Sequence, residues 1–85
     1  MSARVEITPN ALEQAEALSE PIYSRVLAIV ERLKNWPMVS GAKPLRGKLA
    51  NHYRIRTGDY RVQFRIEGST VIVERIGHRD GFYEG

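Results

Sequence analysis

The chain contains no cysteine, so disulfides and thiolate metal sites are both excluded, and a reducing compartment suits it. No apolar run is long enough to span a bilayer, and the opening residues MSARVEIT lack the apolar core of a secretion signal. The expectation is a cytoplasmic protein with neither leader nor membrane anchor. Histidine is scarce as well. His52 and His78, with scattered carboxylates, do not make a metal site, and the sequence has neither a Gly-rich phosphate loop nor a serine elbow. No metal and no other cofactor is expected.

The 85 residues allow one domain, 1–85, undivided by repeat, linker or low-complexity tract. A domain of this size buries only about 60–65% of its unfolded surface, so its core is modest. The hydrophobic fraction of 42% and charged fraction of 27% are ordinary for a globular chain. The net charge of +3 hides an asymmetry. Residues 1–42 set Arg4, Arg25, Arg32 and Lys34 against Glu6, Glu13, Glu16, Glu20 and Glu31, a slight acidic excess. Residues 43–65 set Lys43, Arg46, Lys48, Arg54, Arg56, Arg61 and Arg65 against Asp59 alone. So dense a basic block points to a phosphate backbone or an acidic partner, although a merely solvated basic face has the same composition.

Hydrophobic periodicity orders the rest. Val5 and Ile7, two apart, predict a short first strand. Thr8-Pro9 reads as a helix cap followed by proline in the first turn, with Ala11, Ala15 and Leu18 on one face. Ser19-Glu20-Pro21 restarts the chain as a second helix, in which Ile22, Val26, Ile29, Leu33 and Trp36 recur at intervals of three and four until Pro37 stops it. Residues 41–47, GAKPLRG, read as a loop. Tyr53 and Ile55 alternate with polar or charged residues, as do Tyr60, Val62, Phe64 and Ile66, while residues 70–77 (TVIVERIG) are apolar on both faces as in a central strand. Gly58-Asp59 and Gly68-Ser69 have the length and chemistry of tight hairpin turns. The result is a two-layer α+β domain, β-α-α-β-β-β, with a helical hairpin on one face of a mostly antiparallel sheet.

A two-residue turn at Gly58-Asp59 would pair Thr57 with Tyr60, Arg56 with Arg61, Ile55 with Val62 and Arg54 with Gln63. Arg54, Arg56, Arg61 and Arg65 then share the face away from the helices, with Arg56 and Arg61 directly opposite. Like charges so placed destabilise a hairpin, whereas a phosphate held between two forked guanidinium groups would relieve the repulsion. Glu67 and Glu74 are the neighbouring carboxylates that could instead neutralise the cluster. By alternation His78 follows Ile72, Glu74 and Ile76 onto the arginine face, with Arg79 and Tyr83 just beyond the strand end. His78 is the side chain best tuned for proton transfer near neutrality, though a single histidine at a strand end can equally be structural, as Tyr83 can be a packing aromatic. A phosphodiester cleaved without a metal needs a nucleophile in the substrate. RNA has one in its 2′-OH and DNA does not.

From Lys43 onward the sequence K-P-L-R-G, Y-R-I-R-x-G-D-Y-R-V-x-F, V-I-V-E-R-I-G-H-R and the terminal tyrosine resembles the RelE/ParE toxin superfamily. With the paired helices before it, the resemblance covers nearly the whole chain. It implies a type II toxin that enters the ribosomal A site, cuts mRNA through 2′-OH attack and inhibits translation, silenced by a cognate antitoxin protein. Carried over by position, Arg54 and Arg56 match the family's basic pair on the second strand and Arg61 the arginine after the turn. Arg79 matches the arginine after the last strand, and Tyr83 the terminal tyrosine. The implied catalytic set is Arg61, Arg79, Tyr83 and His78, with Lys43, Arg46, Lys48, Arg54, Arg56 and Arg65 holding RNA. Base and acid are not assigned within it. Two other functions share this fold: a ParE-like poison of DNA gyrase without RNase activity, and a degenerate toxin that serves only as an antitoxin partner.

Overall fold

The computed structural model of the protein describes residues 3–47 and 50–81. Strand β1 (Arg4–Ile7) leads through Thr8 into α1 (Pro9–Glu16), followed by α2 (Ile22–Arg32). The remaining strands are β2 (Lys43–Pro44), β3 (His52–Thr57), β4 (Tyr60–Glu67) and β5 (Thr70–His78). The sheet runs β1-β5-β4-β3-β2. Among the described strands only the β1–β5 pair is parallel, and β3, β4 and β5 form a meander. The α+β architecture is thus the expected one, with a short fifth strand added inside the segment read as a loop.

Local chemistry explains each boundary. Thr8 adopts an extended backbone, its hydroxyl accepts the Ala11 N–H at 3.1 Å, and Pro9 follows where a helix needs no N–H. Nothing at Pro21 caps α2 through a side chain. Instead the Glu20 carboxylate accepts both the backbone N–H and the hydroxyl of Ser24, at 3.1 and 2.7 Å, a favourable place for negative charge. The α-helix ends at Arg32 and tightens into a 3-10 turn, Leu33–Asn35. Trp36 is already extended, as a residue before proline prefers. Trp36 therefore leaves the helix rather than completing its stripe. Both hairpin turns place a glycine first, Gly58 at φ +60° and Gly68 at φ +61°, the pattern of a type II′ turn that suits strand twist. At the far edge, Leu45 donates inward to the His52 carbonyl. Pro44 then falls where its missing N–H would have faced outward, which blunts that edge against further pairing.

The helices cover one face of the sheet. Ala11, Ala15, Val26, Ile29 and Leu33 meet Ile55, Val62, Phe64, Val71, Val73 and Ile76 in one core. Phe64 is its hub, stacked on Tyr53 and met edge-on by Trp36. The Gln14 side chain accepts the Ile76 N–H at 2.7 Å and ties α1 to β5.

The ladder between β4 and β5 is irregular. Gln63 faces Arg75, but its neighbour Phe64 faces Val73, so Glu74 has no partner opposite. This is a β-bulge, and beyond it every side chain of β5 changes face. Ile76 and His78, expected with the arginines, lie on the helix side, Ile76 in the core opposite Val62 and His78 opposite Tyr60. Arg75 moves the other way.

Truncating the hub gives a direct test of this packing. Phe64→Ala should cost about 3–5 kcal/mol, comparable to the whole stability of a small domain, and abolish the cooperative melting transition. Met38→Ala, at a side chain 85% exposed, should change stability by no more than about 0.5 kcal/mol.

Candidate nucleic-acid interface

Cross-strand pairing builds the arginine face row by row, because residues directly opposite share a face. Nearest the β3–β4 turn are Arg56, Arg61 and Gly77. The next row crosses four strands: Lys43, Arg54, Gln63 and Arg75. The third joins His52, Arg65, Ile72 and Glu6, and the last joins Glu67, Thr70 and Arg4. Rows on one face are spaced by two residues, roughly 7 Å. The register expected for β3 and β4 is the observed one, including the Arg56–Arg61 juxtaposition.

Arg61 is not, as expected, a solvated side chain. It is 7% exposed, and its Nε and Nη1 are buried with no hydrogen-bond acceptor. Gly77, opposite on β5, contributes no side chain, and Arg56, opposite on β3, is exposed and of the same charge. Buried donors are nearly always paired, and unpaired ones cost stability, the more so on a charged group. An oxyanion reaching these N–H groups would therefore gain the full value of a charge-assisted, forked bond.

Arg65, four residues along the same strand, has the opposite environment. Its guanidinium is bonded by Glu67 and by Glu74. These carboxylates, Glu67 more than Glu74, hold it above its ordinary range. Glu74 also lies 3.0 Å from His52 Nε2, and His52 Nδ1 lies 3.0 Å from the Ala50 carbonyl. The carboxylates thus balance one end of the face and leave the Arg56–Arg61 end alone.

The end of β5 closes over the β3–β4 turn. The Arg79 N–H donates to the Asp59 carbonyl at 2.7 Å, and its guanidinium lies between Asp59 and Asp80 at 3.9 and 3.8 Å. Arg79 is therefore held at the same end of the sheet as Arg56 and Arg61. The His78 ring packs edge-on against Tyr60 and its Nδ1 accepts the Asp80 N–H at 3.2 Å. It stands on the other face from Arg61 because of the bulge. Lys43 and Arg46 are exposed, Lys43 in the four-strand row and Arg46 in the following loop. Lys48 and Tyr83 lie outside the described residues. Among the described residues no cluster of His, Cys, Asp and Glu could hold a metal ion, and no helix is long and apolar enough to cross a membrane.

The family model described as the ParE toxin of type II toxin–antitoxin systems matches residues 5–81. The chain belongs to the RelE/ParE toxin superfamily. A curated relative of this toxin, Toxin RelE3 of Methanocaldococcus jannaschii, is 33% identical over 66 residues, covering 74% of this chain and 75% of the relative. The toxin–antitoxin complex RelBE2 of Mycobacterium tuberculosis contains a chain of the same fold. It has a TM-score of 0.79 and 30% identity, covering 93% of this chain and all of the other. The RelB–RelE complex of Methanococcus jannaschii gives a TM-score of 0.78 at 26% identity, covering 92% of this chain and 94% of the other.

The neutralising role weighed for Glu67 and Glu74 is met at Arg65. Two features of the toxin's face escaped the sequence: Arg75 joins the basic row, and Glu74 also reaches His52. Their signal was the adjacent charged pair Glu74-Arg75 between Val73 and Ile76, which interrupts the two-residue alternation.

The environment of Arg61 makes a stability prediction. Arg61→Met keeps an apolar stem of similar length but removes a buried charge with unpaired donors and its repulsion from Arg56. Its melting temperature should hold or rise, with a gain of up to about 1 kcal/mol. A loss of about 2 kcal/mol or more would show that the guanidinium makes a stabilising contact.

Proposed function

We propose that this toxin is a metal-independent endoribonuclease that cuts mRNA on the ribosome and thereby inhibits translation. The observation that carries the reading is Arg61, a buried guanidinium with unpaired donors, at the end of a basic face that its carboxylates do not balance. The curated relative's RelE name and the RelE chains among its structural neighbours support the same class.

In this scheme Arg61 grips the scissile phosphate and stabilises the charge that grows on it. Arg56, Arg54, Lys43 and Arg46, with Lys48, hold the flanking backbone. Arg75 joins this set through the bulge. The 2′-oxygen of the substrate attacks phosphorus and the bond to the 5′-oxygen breaks, leaving a cyclic 2′,3′-phosphate and a new 5′-hydroxyl end. Tyr83 takes the proton from the 2′-OH, and the 5′-oxygen leaves against the charge of Arg79 and takes its proton from water; His78, on the other face of the sheet, stands outside this set. Arginine holds its proton too tightly to act as a base, so Arg79 acts chiefly through its charge. This set lacks a strong general base, so orientation by the ribosome supplies much of the rate.

An antitoxin completes the proposal. The structural neighbours include RelB–RelE complexes, and the basic face suits an acidic, partly helical segment that folds as it binds. Produced alone, the protein should arrest growth. Co-expression with an antitoxin encoded beside it should restore growth.

The decisive experiment is cell-free translation with the purified protein, mapping mRNA 5′ ends. Cuts with 5′-hydroxyl ends should appear within translated regions, and Arg61→Met should lower their rate a hundredfold or more, corresponding to about 3–4 kcal/mol of lost transition-state stabilisation. Efficient cleavage of purified RNA without ribosomes would overturn the ribosome-dependent part. Intact mRNA together with inhibited gyrase would instead establish the gyrase-poison alternative.

A further inference from the structure

Arg61 and Arg65 lie on one face of one strand, yet their surroundings are opposite. Glu67 accepts Arg65 Nε at 2.8 Å and Nη2 at 2.7 Å, while Glu74 accepts Nη1. All three guanidinium nitrogens of Arg65 therefore have carboxylate partners. A phosphate arriving at Arg65 would have to displace existing charge-assisted bonds, an exchange with little net gain. At Arg61 no such bond has to be broken.

We propose that Glu67 and Glu74 form a charge mask that withholds Arg65 from a nucleic-acid backbone and concentrates phosphate binding at the Arg56–Arg61 end of the face. The mask makes the two carboxylates specificity-determining residues. It keeps a strongly basic surface from binding any polyanion along its whole length, and it fixes where along the sheet an RNA strand settles. The inference rests on the proposed reading of this face as the RNA surface.

The experiment measures binding of a 2′-O-methylated single-stranded RNA oligonucleotide, which cannot be cut by 2′-OH attack, over a tenfold range of salt. Each phosphate contact to a single strand contributes about 0.7 to the slope of log affinity against log salt. The variant Glu67→Gln/Glu74→Gln should gain one contact, so that affinity falls about fivefold more than for wild type across that range. Adding Arg65→Ala to it should restore the wild-type slope. Glu13→Gln/Glu16→Gln changes net charge equally, but on exposed positions of α1 across the sheet, and should leave the slope unchanged. Melting curves check folding. If the double variant does not fold, Glu67→Gln alone, at a side chain 58% exposed, should steepen the slope by a smaller amount.

A slope that stays at the wild-type value in the variant that folds overturns the mask. So does one matched by the α1 control, or one that stays steep without Arg65. The underlying reading fails differently. If wild-type protein binds the oligonucleotide without salt dependence, or equally well after Arg56→Ala and Arg61→Met, the face is not the RNA surface at all.

Discussion

A single unpaired residue in β5, Glu74, governs how the two faces of this sheet are populated. Strand side chains alternate with a period of two, so one extra residue sends everything beyond it to the opposite face. Ile76 thereby joins Val62 in the core and His78 joins Tyr60, while Arg75 completes a row with Lys43, Arg54 and Gln63. The displaced carboxylate spans three strands, linking β5 to His52 on β3 and Arg65 on β4. Its carbonyl also accepts the Thr8 hydroxyl at 3.4 Å, so the bulge is connected to the cap of α1. Core packing, helix placement and the charge pattern of the site meet at one backbone irregularity.

The charge on the arginine face is uneven. Two carboxylates within reach of one guanidinium saturate it. At the turn end, Asp59 is directed to Arg79 and gives Arg61 no bond. Such an arrangement opposes stability: like charges face each other across the hairpin, and buried donors go unpaired. Small domains have few kcal/mol to spare. The aromatic hub of Phe64, Tyr53 and Trp36 lies on the opposite face of the same strands, where packing offsets that cost. The aromatic core and the basic face thus occupy the two sides of one sheet, and the strand period keeps them apart.

Local rules carried most of the fold. Thr8-Pro9 capped α1, the glycine-first turns fixed the register of β3 on β4 and that of β4 on β5 as far as the bulge, and apolar spacing placed the two helices on the Val62–Phe64 face. All of these act within a few residues, so they are written in consecutive positions. They also fixed the Arg56–Arg61 pairing, because a two-residue turn leaves no freedom in register. The family membership was legible as well, carried by the blocks from Lys43 to Arg79.

What the sequence alone determined, then, is the α+β architecture, the basic face and the confrontation of Arg56 with Arg61. Tertiary structure decided the face of every residue after Glu74, the parallel seat of β1 beside β5, the short β2 edge, the burial of Arg61 and the carboxylate partners of Arg65. Each of these depends on residues distant in sequence. A bulge arises where two strands must match both the core and the helices that cover it, and burial of a charge depends on what the folded chain places around it. Periodicity along a single strand contains neither quantity.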